Sequence, residues 1–100
     1  LPLKPVRIFL GVPQTDKIQV YKVPQNRRSV ITQAILTNTT AEEAKLTLTV
    51  NTIDVMKDLV VPASDTRVLD LYIVLNEGDT VSLKQDTTNA INVALNGQYA

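Results

Sequence analysis

Cysteine, histidine and tryptophan are absent from this 100-residue chain, and each absence removes a class of chemistry. Without cysteine there is no disulfide, no thiol nucleophile and no thiolate metal site. Without histidine there is no Ser-His dyad, no imidazole ligand and no ordinary acid/base group poised near neutral pH. An excess of either charge is missing too, because ten Lys and Arg offset ten Asp and Glu. Strong electrostatic binders of nucleic acid or anionic membranes carry a basic excess, so neither partner is expected. No apolar run approaches the ~18–20 residues that a membrane-spanning helix needs. The three glycines, at 11, 78 and 97, are too scattered to form a phosphate-cradling loop. No cofactor, metal or small-molecule substrate is expected, and the chain reads as a non-enzyme.

What remains is strand-forming material. Thirteen Val, seven Ile and twelve Thr make 32 β-branched residues, whose stiff side chains favour strands over helices. With 44% hydrophobic and 20% charged residues, the composition is that of a globular chain. The length suits one domain, since two halves of about 50 residues would need disulfides or metals. From Ser29 onward the pattern is regular. Leu46, Leu48 and Val50 alternate with Lys45, Thr47 and Thr49, and Leu69, Leu71, Ile73 and Leu75 alternate with Asp70, Tyr72 and Val74. Val93 and Leu95 follow Ile91 at the same period, and each such run turns one apolar face to a core. The expected core is Leu46, Leu48, Val50, Leu69, Leu71, Ile73, Val93 and Leu95.

Polar breaks separate these runs. Asn38–Glu43 is expected to close a hairpin between Val30–Thr37 and Ala44–Asn51, and Asn76-Glu77-Gly78-Asp79 to form a hairpin turn with Gly78 at positive φ. Val30–Leu36, apolar on both faces, suits a doubly covered central strand. Thr52–Leu59 fits either a strand or a helical turn. About seven to eight short strands at this spacing predict an all-β fold, an antiparallel β-sandwich of jelly-roll or Ig-like type.

Residues 1–24 differ from the rest. Four of the five prolines, at 2, 5, 13 and 24, punctuate them, and proline confines strands to edges and starts. The segment is expected to form an N-terminal arm or edge strands, with the sandwich proper at 25–100. The opening Leu1–Pro5 lacks a basic stretch leading into an apolar one, so it does not read as a signal peptide. Lacking an initiating Met, the chain is also compatible with a processed product or a piece of something longer.

Candidate chemical sites are few. Asp54 with Asp58, and Glu77 with Asp79, are carboxylate pairs without the ligand spacing of a calcium loop; solvated loops are the simpler reading. Arg27-Arg28 is the one tight basic pair, and a solvated strand start accounts for it. Asn38-Thr39-Thr40 matches the glycosylation pattern, as about one site in a chain of this composition does by chance. Protein-binding surface is better represented. Tyr72 lies opposite the Leu69–Leu75 face with Val68 and Val74 beside it, which requires a covering layer from the same chain or from a neighbour. Val6, Ile8 and Leu10 share a face by period, and Phe9 adds apolar surface. A strand donated to a neighbour's sheet edge would cover them, as would completion of the chain's own sheet. The expected interface is thus Val6, Ile8, Phe9, Leu10, Tyr21 and Tyr72.

The stretches "ILTNTTAEEAKLTLTV" and "VVPASDTRVLDLYIVLNEGDTVSLKQDTTNAINVALNGQYA" resemble small β-sandwich structural proteins of tailed bacteriophage virions, such as tail, baseplate, fibre or capsid accessory proteins. The resemblance runs from Ser29 to Ala100, through Leu36–Asn38, Leu46–Val50, Pro62, Leu69–Leu75, Gly78-Asp79 and Ile91–Tyr99. It implies a non-enzymatic virion subunit, assembled in the host cytoplasm, whose partners are itself, as a homo-oligomer, and other virion proteins. The alternative is a monomeric adhesion or carbohydrate-binding module, and the scarcity of aromatics argues against sugar stacking.

Overall fold

Eight strands account for most of residues 4–99, the part of the chain that the structure, a computed structural model, describes. They are β1 (Lys4–Gly11), β2 (Ile18–Lys22), β3 (Ser29–Asn38), β4 (Ala44–Val50), β5 (Ile53–Val61), β6 (Thr66–Leu75), β7 (Thr80–Gln85) and β8 (Ile91–Tyr99). One antiparallel sheet has the order β1-β8-β3-β6 and the other β2-β7-β4-β5. This interleaving of early and late strands is a jelly roll. The all-β sandwich expected from alternation is therefore the fold. The ambiguous Thr52–Leu59 stretch is strand. Residues 1–3 of the expected arm lie outside the described residues, while β1 and β2 sit at the edges of the two sheets.

The expected hairpins are a different matter. β3 and β4 belong to different sheets, so Asn38–Glu43 crosses between layers and does not close a hairpin. β6 and β7 are likewise in different sheets, and Asn76–Asp79 is a corner, although Gly78 does take positive φ (82°). Among the described strands only β4 and β5 are both consecutive and paired. They join through Asn51-Thr52, where Asn51 tolerates a φ of 58° as such tight turns demand. Its side chain accepts from Thr80 N at 3.0 Å and donates to Asp79 Oδ1 at 3.2 Å, anchoring the turn to the start of β7.

The two sheets bury one apolar layer between them. Ile31, Leu36, Leu46, Leu48, Leu75, Leu83, Ile91 and Leu95 are all fully buried, each contributing about 1.5–3 kcal/mol relative to exposure. Of the expected core, Leu46, Leu48, Val93 and Leu95 are buried, whereas Val50, Leu69, Leu71 and Ile73 are only partly so. The phase of β6 is as read; its depth is not. β6 is an edge strand, so its inward side chains have a neighbouring strand on one side only. Leu48→Ala should therefore cost about 2–5 kcal/mol and Leu71→Ala roughly half that. Denaturant melts that rank the two variants the other way round would contradict this assignment.

Among the described residues every buried side-chain nitrogen or oxygen has a hydrogen-bond partner. Gln85, 1% exposed, donates from its amide to the Pro13 carbonyl and accepts from Ile91 N at 2.9 Å. It pins the β1–β2 loop against the start of β8, with no polar atom left unpaired.

Candidate functional site

The sandwich has two outer faces, and they differ in character. On the β2-β7-β4-β5 sheet, Gln19, Ser82 and Thr49 stand side by side across three strands, with Lys84 beside Thr47 in another row. Thr49 Oγ1 donates to Asp54 Oδ1 at 2.7 Å, and Lys17 Nζ reaches the same oxygen at 3.1 Å. The Thr49 hydroxyl first, and Lys17 second, hold the Asp54 carboxyl below the usual carboxylate range. Asp58 N donates to Thr47 Oγ1 at 3.1 Å. These rows are polar and internally bonded, with Thr47 and Thr49 themselves buried, while Val60 beside Lys45 is 37% exposed and Ile18, Ile53 and Val55 on the two edge strands are 42%, 68% and 45% exposed.

The outer face of the β1-β8-β3-β6 sheet is built in stripes. Strand register places Leu10, Ala94, Ile35 and Val68 in one row across all four strands. The adjacent row is polar: Arg7, Asn96, Gln33 and Asp70. Beyond a bulge at Thr32 and Tyr72, Val30 and Val74 return to apolar character. Leu10 is 61% exposed, Val68 57%, Tyr72 77% and Val74 50%. The Leu10–Val68 row is thus apolar from edge to edge, exposed at its two ends and half-buried at Ala94 and Ile35. The covering layer that the Tyr72 face requires is not supplied by the described residues of this chain.

The expected interface residues divide. Leu10 and Tyr72 lie on this exposed face. Ile8 does not: it is a core residue, 5% exposed. The cause is a bulge between Arg7 and Phe9, which turns Ile8 and Phe9 both inward and leaves Leu10 on the outside. Simple alternation, which groups Val6, Ile8 and Leu10 on one face, does not register that bulge. Val6 and Phe9 are partly buried against the core. Tyr21 is partly buried as well, its hydroxyl 2.9 Å from Ser29 Oγ. Ile35 and Ala94, half-buried on the outer face, are not legible there in the sequence because an apolar strand gives no sign of which side is covered.

Other candidates resolve into structural roles. Val6, Tyr21, Pro24, Arg27, Ser29 and Tyr99 line an open groove of about 330 Å³. The Arg27 guanidinium sits 4.9 Å from the Tyr99 ring centroid, so that aromatic face is occupied by a cation–π contact. Asp79 Oδ2 accepts from Asn76 N at 2.8 Å, and Glu77 accepts from Asn26 N, which makes both carboxylates loop ties. Among the described residues no three of Asp, Glu, His and Cys gather as metal ligands would. Asn38 is 1% exposed, and its amide donates to the carbonyls of Glu42 at 2.8 Å and Val61 at 3.0 Å. In the folded chain that amide is closed to glycosylation.

No protein family's sequence profile matches this chain, and no curated protein does. Its fold has a solved counterpart. The chain is similar to one in the structure of infectious bursal disease virus Gx strain, with a TM-score of 0.57 and 11% sequence identity. The match covers 98% of this chain and 31% of the other, so this chain spans about a third of that length. At that identity what the two share is the fold.

Proposed function

We propose that this chain is a non-enzymatic structural subunit of a virus particle, acting through protein–protein contacts and self-association. The observation that carries the reading is the apolar row Leu10–Ala94–Ile35–Val68 on one outer face, exposed at both ends and half-buried between, with Tyr72 and Val74 exposed beyond it. Apolar side chains gathered into one row across four strands are what an interaction surface presents. The jelly roll and its likeness to a chain from a virus structure support a virion as the setting. The sequence resemblance to tailed-phage virion proteins narrows the proposal to a tail, baseplate, fibre or capsid accessory component. Its partners are then further copies of itself and other virion proteins, with no nucleic acid or membrane contact, and its location is the particle.

Sedimentation velocity over rising concentration tests the reading. Species heavier than the 11.0 kDa chain should accumulate as the concentration rises towards about 1 mM, which corresponds to an association free energy of about −4 kcal/mol. A chain that remains monomeric up to that concentration would overturn it.

A further inference from the structure

Resting on the assembly reading above, we propose that two copies of this chain pair face to face through the outer sides of their β1-β8-β3-β6 sheets. The two-fold axis runs parallel to the strands, between the sheets. The stripes of the outer face favour this pairing. Such an axis sets each β1 over the partner's β6 and each β8 over the partner's β3, and it keeps every cross-strand row opposite itself. The apolar row Leu10, Ala94, Ile35, Val68 then meets the same row reversed, apolar on apolar throughout. The polar row is self-complementary in the same sense. Its ends are Arg7 on one edge strand and Asp70 on the other, so Arg7 meets the partner's Asp70 twice per dimer. Between them, Asn96 meets the partner's Gln33. An axis running across the strands through that row would instead set Arg7 against Arg7 and Asp70 against Asp70.

Both charged groups are free for this role. They are exposed, and among the described residues neither has an ion-pair partner within its own chain. Stacked sheets lie roughly 10 Å apart, a gap that an extended arginine and an aspartate span together. Four strands about 4.8 Å apart and about eight residues long give a footprint of roughly 500 Å² per copy. The total of about 1,000 Å² is at the low end for a specific interface. Association is therefore weak and concentration-dependent, and the rim charges set its register more than its strength.

Charge reversal tests the pairing by sedimentation velocity on the full chain. Arg7→Asp and Asp70→Arg should each raise the dimer dissociation constant at least about tenfold, because like charges then meet at both symmetric positions. The double variant should return it to within about threefold of the original. Mixing the two single variants should also restore dimers, since one copy then offers two carboxylates to two guanidinium groups on the other. Thermal melts unchanged from the original chain would show that the exposed substitutions leave the fold intact. An oligomer indifferent to both reversals, or one that neither the double variant nor the mixture restores, overturns this interface and leaves the assembly reading standing. A chain monomeric under all conditions overturns both.

Discussion

Gly97→Ala is expected to lower the stability of this protein by about 3 kcal/mol or more, at the upper end of overpacking effects. Gly97 pairs with Ile31 where β8 runs beside β3, next to the bulge at Thr32. A methyl group there would lie 2.0 Å from the Val30 carbonyl oxygen and 3.3 Å from the Ile31 Cα. Both obstacles are backbone, so no rotamer change relieves them. The strands must part by more than 1 Å or so, and the flanking ladder bonds between the two central strands lengthen with them. A domain of this size should lose roughly 12 °C or more in melting temperature. Gly78→Ala provides the contrast, because Gly78 has nothing within 4 Å of an added Cβ but a φ of 82°. Its cost is conformational and should be nearer 1 kcal/mol. Circular dichroism melts showing equal effects would refute the steric account.

Asn38→Asp is expected to cost roughly 3–5 kcal/mol at neutral pH, although it changes the side chain's shape very little. The Asn38 side chain makes four hydrogen bonds. It donates to the Glu42 and Val61 carbonyls, and it accepts from Thr40 N at 2.9 Å and Thr40 Oγ1 at 2.8 Å. These bonds hold the β3–β4 crossing against the end of β5. An aspartate keeps the two acceptor contacts but presents an anionic oxygen to two carbonyl oxygens at a buried site. The folded state would resist ionising it, so its pKa would rise above the unfolded value of about 3.9. The penalty should consequently grow as pH climbs above about 4, where the unfolded chain ionises and the folded chain does not. Below that pH the protonated acid regains one donor, and the deficit shrinks. Urea melts of both proteins at acid and neutral pH check the slope; a deficit independent of pH would rule out the buried-charge explanation.

These two positions differ in how they are visible in the sequence. Gly97 closes an alternating run and reads there as an ordinary weak strand residue; only the approach of β3 makes it indispensable. Asn38 sits in a polar stretch and reads as a loop residue or a modification acceptor. That it is buried depends on Val61, 23 positions away. Of the outer apolar face, Val68, Tyr72 and Val74 are legible as apolar residues opposite the Leu69–Leu75 face, whereas Leu10 reads as sharing a face with Val6 and Ile8. The grouping of Ile8 with Leu10 failed because a bulge adds one residue and reverses the phase beyond it.

The sequence alone determined the class. Its β-branched content and period-two runs require strands, and the apolar share of each run requires two sheets facing across one core. Missing cysteine and histidine set the range of chemistry. Tertiary structure alone decided which strands meet. Most connections cross from one sheet to the other, so β1 finds β8, β3 finds β6 and β8, and the expected hairpins do not form. Alternation specifies which face of a strand is buried, and it is silent about neighbours, because backbone hydrogen bonds are the same for every residue but proline. The outer stripe arises at that level too: Leu10, Ala94, Ile35 and Val68 are far apart in the chain, and only the register of four strands draws them into one row.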